Sequence, residues 1–219
     1  MEGKRPLAVR AVIFDLGGVV LGSPLRAIAD YERERGIEPG LVNRVVVESG
    51  PSGAWARLER GEIDLERFHR DFDRECAAAG AALSSRELFA RMAEAAQPHP
   101  AMVRALGELR RAGLATAALT NNWAGDGDRL APIRDAFDVF VESSRVGLRK
   151  PDPGIYRLAL DLLEVEPAQA VFLDDIGRNL KPARALGMAT IKVDDPVEAL
   201  GALGRLLGLE LARARAPRG

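Results

Sequence analysis

Residues 170–177 read Ala-Val-Phe-Leu-Asp-Asp-Ile-Gly. Four apolar residues run straight into two adjacent carboxylates, with a glycine two positions further on. A run this short and apolar at every position suits a strand buried on both faces of a parallel sheet. The carboxylates, Asp174 and Asp175, then fall at its carboxyl end, where open α/β sheets bind their ligands. The pattern recurs elsewhere. Val9–Phe14 ends at Asp15, ahead of Gly17 and Gly18; Leu114–Leu119 ends at Thr120; Met188–Val193 ends at Asp194. Residues 137–141, Phe-Asp-Val-Phe-Val, supply a fifth strand.

Helical patterns alternate with these runs. The segment after Pro100 stops at Gly113, Asp152-Pro153 starts a helix, Gly177–Leu186 ends at Gly187, and Asp195-Pro196 opens the last. A cap residue before a proline in the first turn is a helix start with a physical basis. Ile155, Leu158, Ala159 and Leu162 recur on one helical face. Alternation of this kind predicts a right-handed βαβ arrangement. The fold class expected is α/β: a Rossmann-like parallel sheet with helices on both faces. Residues 23–96 break the alternation. Ser23-Pro24 opens a helix that Gly36 closes, Leu65, Phe68, Phe72 and Cys76 line another, and Ser84 to Glu87 has capping-box spacing. About four helices are expected there, too much for an ordinary loop. The expected division is a core of residues 1–22 and 97–219 with a helical cap domain at 23–96.

Composition narrows the function. The chain has 219 residues, 47% hydrophobic and 29% charged, which excludes disorder as its main state. Lys+Arg total 31 and Asp+Glu 32, so the formal net charge is −1 and carries no electrostatic footprint for nucleic acid. One cysteine, Cys76, allows neither an internal disulfide nor a zinc cluster. The stretch Met1 to Arg10 lacks the apolar segment of a signal peptide, and no run approaches the roughly 20 apolar residues of a membrane span. A cytoplasmic protein with no membrane and no nucleic-acid partner is expected, with a homodimer left open. Gly17-Gly18-Val-Val-Leu-Gly22 is not a dinucleotide fingerprint, and no Walker-type phosphate loop follows any strand. The basic tail, 213–219, reads as a solvated end.

At the strand ends stand Asp15, Thr120 with Asn121, and Asp174 with Asp175; Lys150, just before a helix start, can reach the same rim. Each alone is an ordinary turn, cap or surface residue. Together they form an oxygen-rich site for a hard cation, since Mg²⁺ takes one or two protein carboxylates and shares its remaining positions with water and phosphate. Three carboxylates carry −3, which one Mg²⁺ and Lys150 would balance. Without the cation at least one carboxylate should take up a proton.

Asp15-Leu16-Gly17-Gly18-Val19, Thr120-Asn121-Asn122, Lys150-Pro151-Asp152-Pro153 and Asp174-Asp175-Ile176-Gly177-Arg178-Asn179 resemble, in order, the four motifs of the haloacid dehalogenase superfamily. The stretch Phe172 to Met188 is similar to the N-terminal phosphatase domain of soluble epoxide hydrolase and to the related domain fused to some acyl-CoA dehydrogenases. The resemblance covers about residues 9–208. It implies a Mg²⁺-dependent phosphatase acting on a small phosphorylated metabolite. Asp15 would take the phosphoryl group, Thr120 would bond a phosphate oxygen, and Asn121 would line the substrate side with Gly17 and Gly18. Lys150 would neutralise charge. The metal would sit on Asp15, the Gly17 carbonyl, Asp174 and Asp175, with Asp175 holding metal-bound water or Lys150, and Asn179 would stand behind these ligands. The helices of 23–96 would close over the substrate. No α/β-hydrolase half is present, so epoxide hydrolysis is not expected.

One position departs from the pattern. Phosphatases of this family usually carry a second Asp two residues after the nucleophile, which protonates the leaving oxygen. Here it is Gly17. General acid catalysis is worth about 10²–10⁴-fold, or roughly 3–5 kcal/mol of barrier. The loss should be large for alkyl phosphates and small for esters whose leaving group needs no proton. A phosphometabolite-binding pseudoenzyme is therefore a second reading, and another superfamily reaction a third. Dehalogenation would leave Asp174 and Asp175 without a task. Phosphonate cleavage wants a cap lysine, and there is none between residues 5 and 149. His69 and His99 read as packing or surface residues, and Phe68, Phe72 and Cys76 as cap core. Trp123, just after Asn122, and Trp55 face either the substrate or the cap.

Overall fold

The computed structural model describes residues 8–125 and 127–211; the basic tail and most of the N-terminal stretch lie outside them. Five strands form one parallel sheet: β1 (Ala11–Phe14), β2 (Ala115–Thr120), β3 (Val139–Glu142), β4 (Ala170–Asp174) and β5 (Ala189–Lys192), in the order β3-β2-β1-β4-β5. All four pairings are parallel, with Phe14 opposite both Ala118 and Leu173. The apolar runs are strands because both faces of the sheet are covered. In β1, Val12 and Phe14 join one core cluster and Ile13 the other. β5 is an edge strand and departs from the fully buried pattern, its residues being half-buried or exposed.

Residues 23–96 hold five helices rather than about four: α1 (Pro24–Arg35), α2 (Leu41–Glu48), α3 (Ala54–Glu59), α4 (Leu65–Ala78) and α5 (Ser85–Ala95). The break is a single 3₁₀ turn, Gly50–Ser52, between α2 and α3, where proline and flanking glycines interrupt the helix. Gly40 cannot cap α2 with a side chain. The buried carboxylate of Glu32 does so from α1, accepting from the backbone N–H groups of Gly40 (2.7 Å) and Val42 (2.8 Å). Ser84 caps α5 through Glu87 N–H at 3.3 Å, but only half of the capping box forms. The Glu87 carboxylate turns instead to the hydroxyl of Tyr31 and the guanidinium of Arg35 on α1. The helices enclose their own cluster, in which Trp55, Phe68, Phe72 and Phe89 meet with ring centroids 4.8–5.7 Å apart. Cys76 is buried there, and burial pushes its thiol up to about 12, out of the reactive range.

Asp64 caps α4 by accepting from Arg67 N–H at 2.7 Å. Asp64→Ala is expected to destabilise the fold by about 1 kcal/mol, read as a lower urea midpoint with an unchanged m-value. An unchanged midpoint would mean that water replaces the cap at no cost.

Six helices complete the core: α6 (Pro100–Arg111), α7 (Gly127–Arg134), α8 (Ser143–Val146), α9 (Pro153–Leu163), α10 (Gly177–Leu186) and α11 (Pro196–Leu207). α6 and α11 cover one face of the sheet, α9 and α10 the other. The chain leaves the sheet for the inserted helices and returns at one place. Leu21 bridges to Pro98, Gly22 N–H donates to Gln97 O at 2.9 Å, and His99 N–H donates to Val20 O at 2.8 Å. Gly22 is required at this crossing, because a Cβ there would collide with the carbonyl of Ala95.

Candidate active site

β1 lies between β2 and β4, so the residues ending these three strands share one rim. Asp15 continues the ladder, its N–H donating to Leu173 O at 2.9 Å. Asp174 ends β4 and Thr120 ends β2; all three are buried. Lys150 arrives from the loop after α8 and places its Nζ 2.8 Å from Asp15 Oδ1 and 2.8 Å from Asp174 Oδ2. Only 1% of Lys150 is exposed, so this ammonium is a buried charge held by two carboxylates.

Hydrogen bonds fix the carboxylates before any ligand arrives. Asp174 Oδ1 accepts from Ile176 N–H (2.8 Å), and both Asp174 oxygens accept from Asn179 Nδ2 (3.1 Å). Asn179 thus stands behind Asp174, and its backbone carbonyl accepts from the Tyr156 hydroxyl at 2.7 Å. Asp15 Oδ1 accepts from Leu16 N–H at 2.7 Å. Among the described residues, Asp15 Oδ2 makes no hydrogen bond, so that oxygen is open to a phosphorus atom or a cation. Asp175 packs against Gly18, where the backbone is left-handed (φ 76°) and a Cβ would strike the carboxylate. Asp175 makes no ion pair with Lys150 among the described residues; Asp174 takes that partner.

Ligand oxygens of Asp15, Asp174 and Asp175 lie within 4.8 Å of one another. The titration of the group reflects crowded negative charge. Burial, with the charges of Asp174 and Asp175, raises Asp15 to about 8 against the pull of Lys150. Burial and Asp174 raise Asp175 to about 6. Burial alone would lower Lys150, but the charges of Asp15 and Asp174 outweigh it and hold its pKa above the ordinary lysine value. A cation placed among the three oxygens would reverse the carboxylate shifts.

The rim opens into a cavity of about 830 Å³ between the sheet and the inserted helices. Asp15, Gly17, Thr120, Asn121, Trp123, Lys150 and Asp175 line it on the core side, with Ile28, Val42, Trp55, Leu65 and Phe89 opposite. Trp123 both lines the cavity and packs on the insertion, its ring 4.6 Å from that of Phe89. Asn121 lines the cavity and is also tied into the protein. Its carboxamide accepts from Lys150 N–H (2.8 Å) and donates to Lys150 O (3.1 Å) and to Glu59 (3.2 Å), which occupies its polar atoms. Gly17 sits where a Cβ would lie 3.1 Å from the Pro24 ring, at the start of α1.

Three lining residues carried no sequence signal as site residues: Glu59, Arg149 and His69. Glu59 and Arg149 form an ion pair between α3 and the Lys150 loop. His69 is buried among Phe68 and Phe89, its Nδ1 2.8 Å from Ser85 Oγ, with burial and the charge of Arg86 holding it below the ordinary histidine value. Its packing role was expected; its place on the cavity wall was not. His99 is the residue preceding α6.

A buried lysine and a carboxylate cluster thus stand on the rim of a parallel α/β sheet, with a helical segment inserted between β1 and β2. The sequence model of the haloacid dehalogenase-like hydrolases matches residues 9–187, and the chain belongs to that family. Acyl-CoA dehydrogenase family member 10 of Mus musculus is 41% identical over 92% of this chain and 19% of that protein. Bifunctional epoxide hydrolase 2 of Sus scrofa is 38% identical over 96% of this chain and 41% of that protein. The chain thus spans less than half the length of either. Sesquiterpene phosphatase astK of Aspergillus oryzae is 27% identical over 91% of this chain and 97% of that protein. Among solved structures, a family enzyme of Bacteroides thetaiotaomicron in complex with magnesium and inorganic phosphate matches with a TM-score of 0.62 at 19% identity, over 84% of this chain and 94% of that one. That likeness is one of fold. Among the described residues no helix is long and apolar enough to cross a membrane.

Proposed function

We propose that this chain is a Mg²⁺-dependent phosphatase of small organic phosphomonoesters, acting in the cytoplasm through an aspartyl-phosphate on Asp15. The observation that carries the reading is Lys150, buried 2.8 Å from both Asp15 and Asp174 beside an all-oxygen cluster. The donor set suits Mg²⁺, which accepts only oxygen ligands here and leaves positions for water and phosphate. Asp15, Asp174 and Asp175 would hold it, with the Gly17 carbonyl as a further ligand. When bound it would supply charge neutralisation for the phosphate.

The protein's own groups perform the transfer. An oxygen of Asp15 forms a bond to phosphorus as the bond from phosphorus to the ester oxygen breaks, and the leaving oxygen departs as alkoxide or aryloxide, taking its proton from solvent water. Water then attacks the phosphorus of the aspartyl-phosphate, releasing inorganic phosphate and restoring the carboxylate. Lys150 neutralises charge on the phosphoryl oxygens and Thr120 donates a hydrogen bond to one of them. The inserted helices, residues 23–96, act as a cap that excludes water. The apolar wall built by Trp55, Phe89 and Trp123 favours an apolar alcohol part, and the likeness to a sesquiterpene phosphatase supports that choice.

The leaving oxygen has no proton donor at Gly17. Phosphate release from an activated aryl phosphate is expected with Mg²⁺ and is expected to fall by at least about 10²-fold in EDTA. Gly17→Asp needs room beside Pro24, so it is paired with Pro24→Ala. The pair is expected to raise turnover of alkyl phosphates toward about 10²-fold and to change aryl phosphates little. Gly17 favours one other reading, a binding protein for a phosphorylated metabolite. Mg²⁺-dependent binding of phosphate with no release from aryl or acyl phosphates would decide for it.

A further inference from the structure

Both oxygens of the Glu59 carboxylate are occupied, and by residues from two parts of the fold. Oε1 accepts from the indole N–H of Trp55 at 2.9 Å, within α3. Oε2 accepts from the guanidinium of Arg149 and from Asn121 Nδ2, both on the core side. Asn121 in turn clasps the backbone of Lys150 at its N–H and its carbonyl. A continuous chain of hydrogen bonds therefore runs from the cavity wall at Trp55 to the residue whose ammonium sits between Asp15 and Asp174. The contact is close-packed as well: Gly61, just past α3, lies against the carbonyl of Ser144 where no Cβ would fit. Glu59 is buried, charged and paired with an arginine. This carboxylate is committed to three partners, Trp55, Arg149 and Asn121. Its contribution is placement.

We propose that Glu59 is a positioning residue: seated between Trp55, Arg149 and Asn121, it transmits the docking of the inserted helices to the backbone that carries Lys150. Closure of the cap and seating of the ammonium are then one event. The kinetic part of this inference rests on the phosphatase reading; the spectroscopic part does not.

The test uses the full chain labelled with ¹⁵N. Glu59→Gln keeps the shape and loses the charge held by Arg149. In this variant the backbone amide of Lys150 is expected to shift in the ¹H–¹⁵N spectrum, while amides of β5 and α11 stay in place. Reciprocally, Arg149→Met is expected to shift the indole N–H of Trp55, on the other side of Glu59. If phosphate is released, kcat of Glu59→Gln is expected to fall by about 10–100-fold, the scale of a small misplacement of a catalytic group, with KM changed less than about threefold. The double variant is expected to be no worse than the poorer single one. An unmoved Lys150 amide in folded Glu59→Gln overturns the proposal whether or not the protein is a phosphatase. A raised KM with kcat intact also overturns it, since that marks Glu59 as a substrate contact.

Discussion

Asp15→Asn is expected to reduce phosphate release by more than about 10⁴-fold, the scale on which loss of a covalent nucleophile acts, while melting no lower than the parent protein in EDTA. The activity goes because an amide does not form the phosphoryl intermediate. The stability stays because of the local charge. Asp15 is crowded by Asp174 and Asp175, and burial already pushes its carboxyl up to about 8. A neutral isostere removes one negative charge from that group and still offers an oxygen to Leu16 N–H and Lys150. Phosphate release and a thermal melt on the same preparation check both halves. Retained turnover would exclude Asp15 as nucleophile; a collapsed melt would show that the charge on Asp15 holds the rim together.

Lys150→Met carries the opposite balance. It removes the one ammonium that Asp15 and Asp174 both contact, and it leaves carboxylates in a buried site without their partner. Breaking a buried pair in this way costs about 3–5 kcal/mol, which for a chain of this size is a fall in Tm of roughly 10 °C. The deficit should depend on pH. A carboxyl whose folded-state pKa lies above its unfolded value binds its proton preferentially in the folded state. Its contribution to stability is full below the unfolded pKa and is lost as pH rises through the folded one. For Asp15 in the parent that window runs from an ordinary 3.8 to about 8. Without the ammonium the upper limit moves higher, so the variant goes on losing stability where the parent has stopped. In EDTA the gap between the two melting curves is expected to widen from about pH 7 to about pH 9. A gap that narrows over that range would mean that the orphaned carboxylates find another cation.

Much of this arrangement is legible along the chain because its causes are local. A strand buried on both faces is apolar at most positions, and a polar residue at its carboxyl end falls on the sheet rim. Asp15, Thr120 and Asp174 were found by that rule alone. Helix starts at Ser23, Asp152 and Asp195 were equally local, each a cap residue before proline. What escaped was held by distant partners. The glutamate expected to close a capping box at Ser84 is drawn to Tyr31 and Arg35 across the bundle. Glu59 and Arg149 meet across 90 positions, and neither belongs to a spacing pattern that marks it. The bonds from the Asn121 carboxamide to Lys150 and Glu59 likewise have no local signal in the sequence. The short helices α2 and α3 carry too little periodicity to be counted separately in the sequence.

The crossing at Leu21–Gly22 and Gln97–His99 has a consequence for how such a molecule changes over generations. The insertion begins and ends on two backbones already hydrogen-bonded to each other. To the sheet, everything between them is a loop whose ends are tied, and the entropy of closing a loop grows by only about 0.6 kcal/mol for each doubling of its length. Helices can therefore be lengthened or exchanged on the far side of that knot at little entropic cost to the sheet, so long as α3 keeps Glu59 seated on Arg149 and Asn121. Gly22 is what lets the two backbones lie so close, since any side chain there would strike the Ala95 carbonyl.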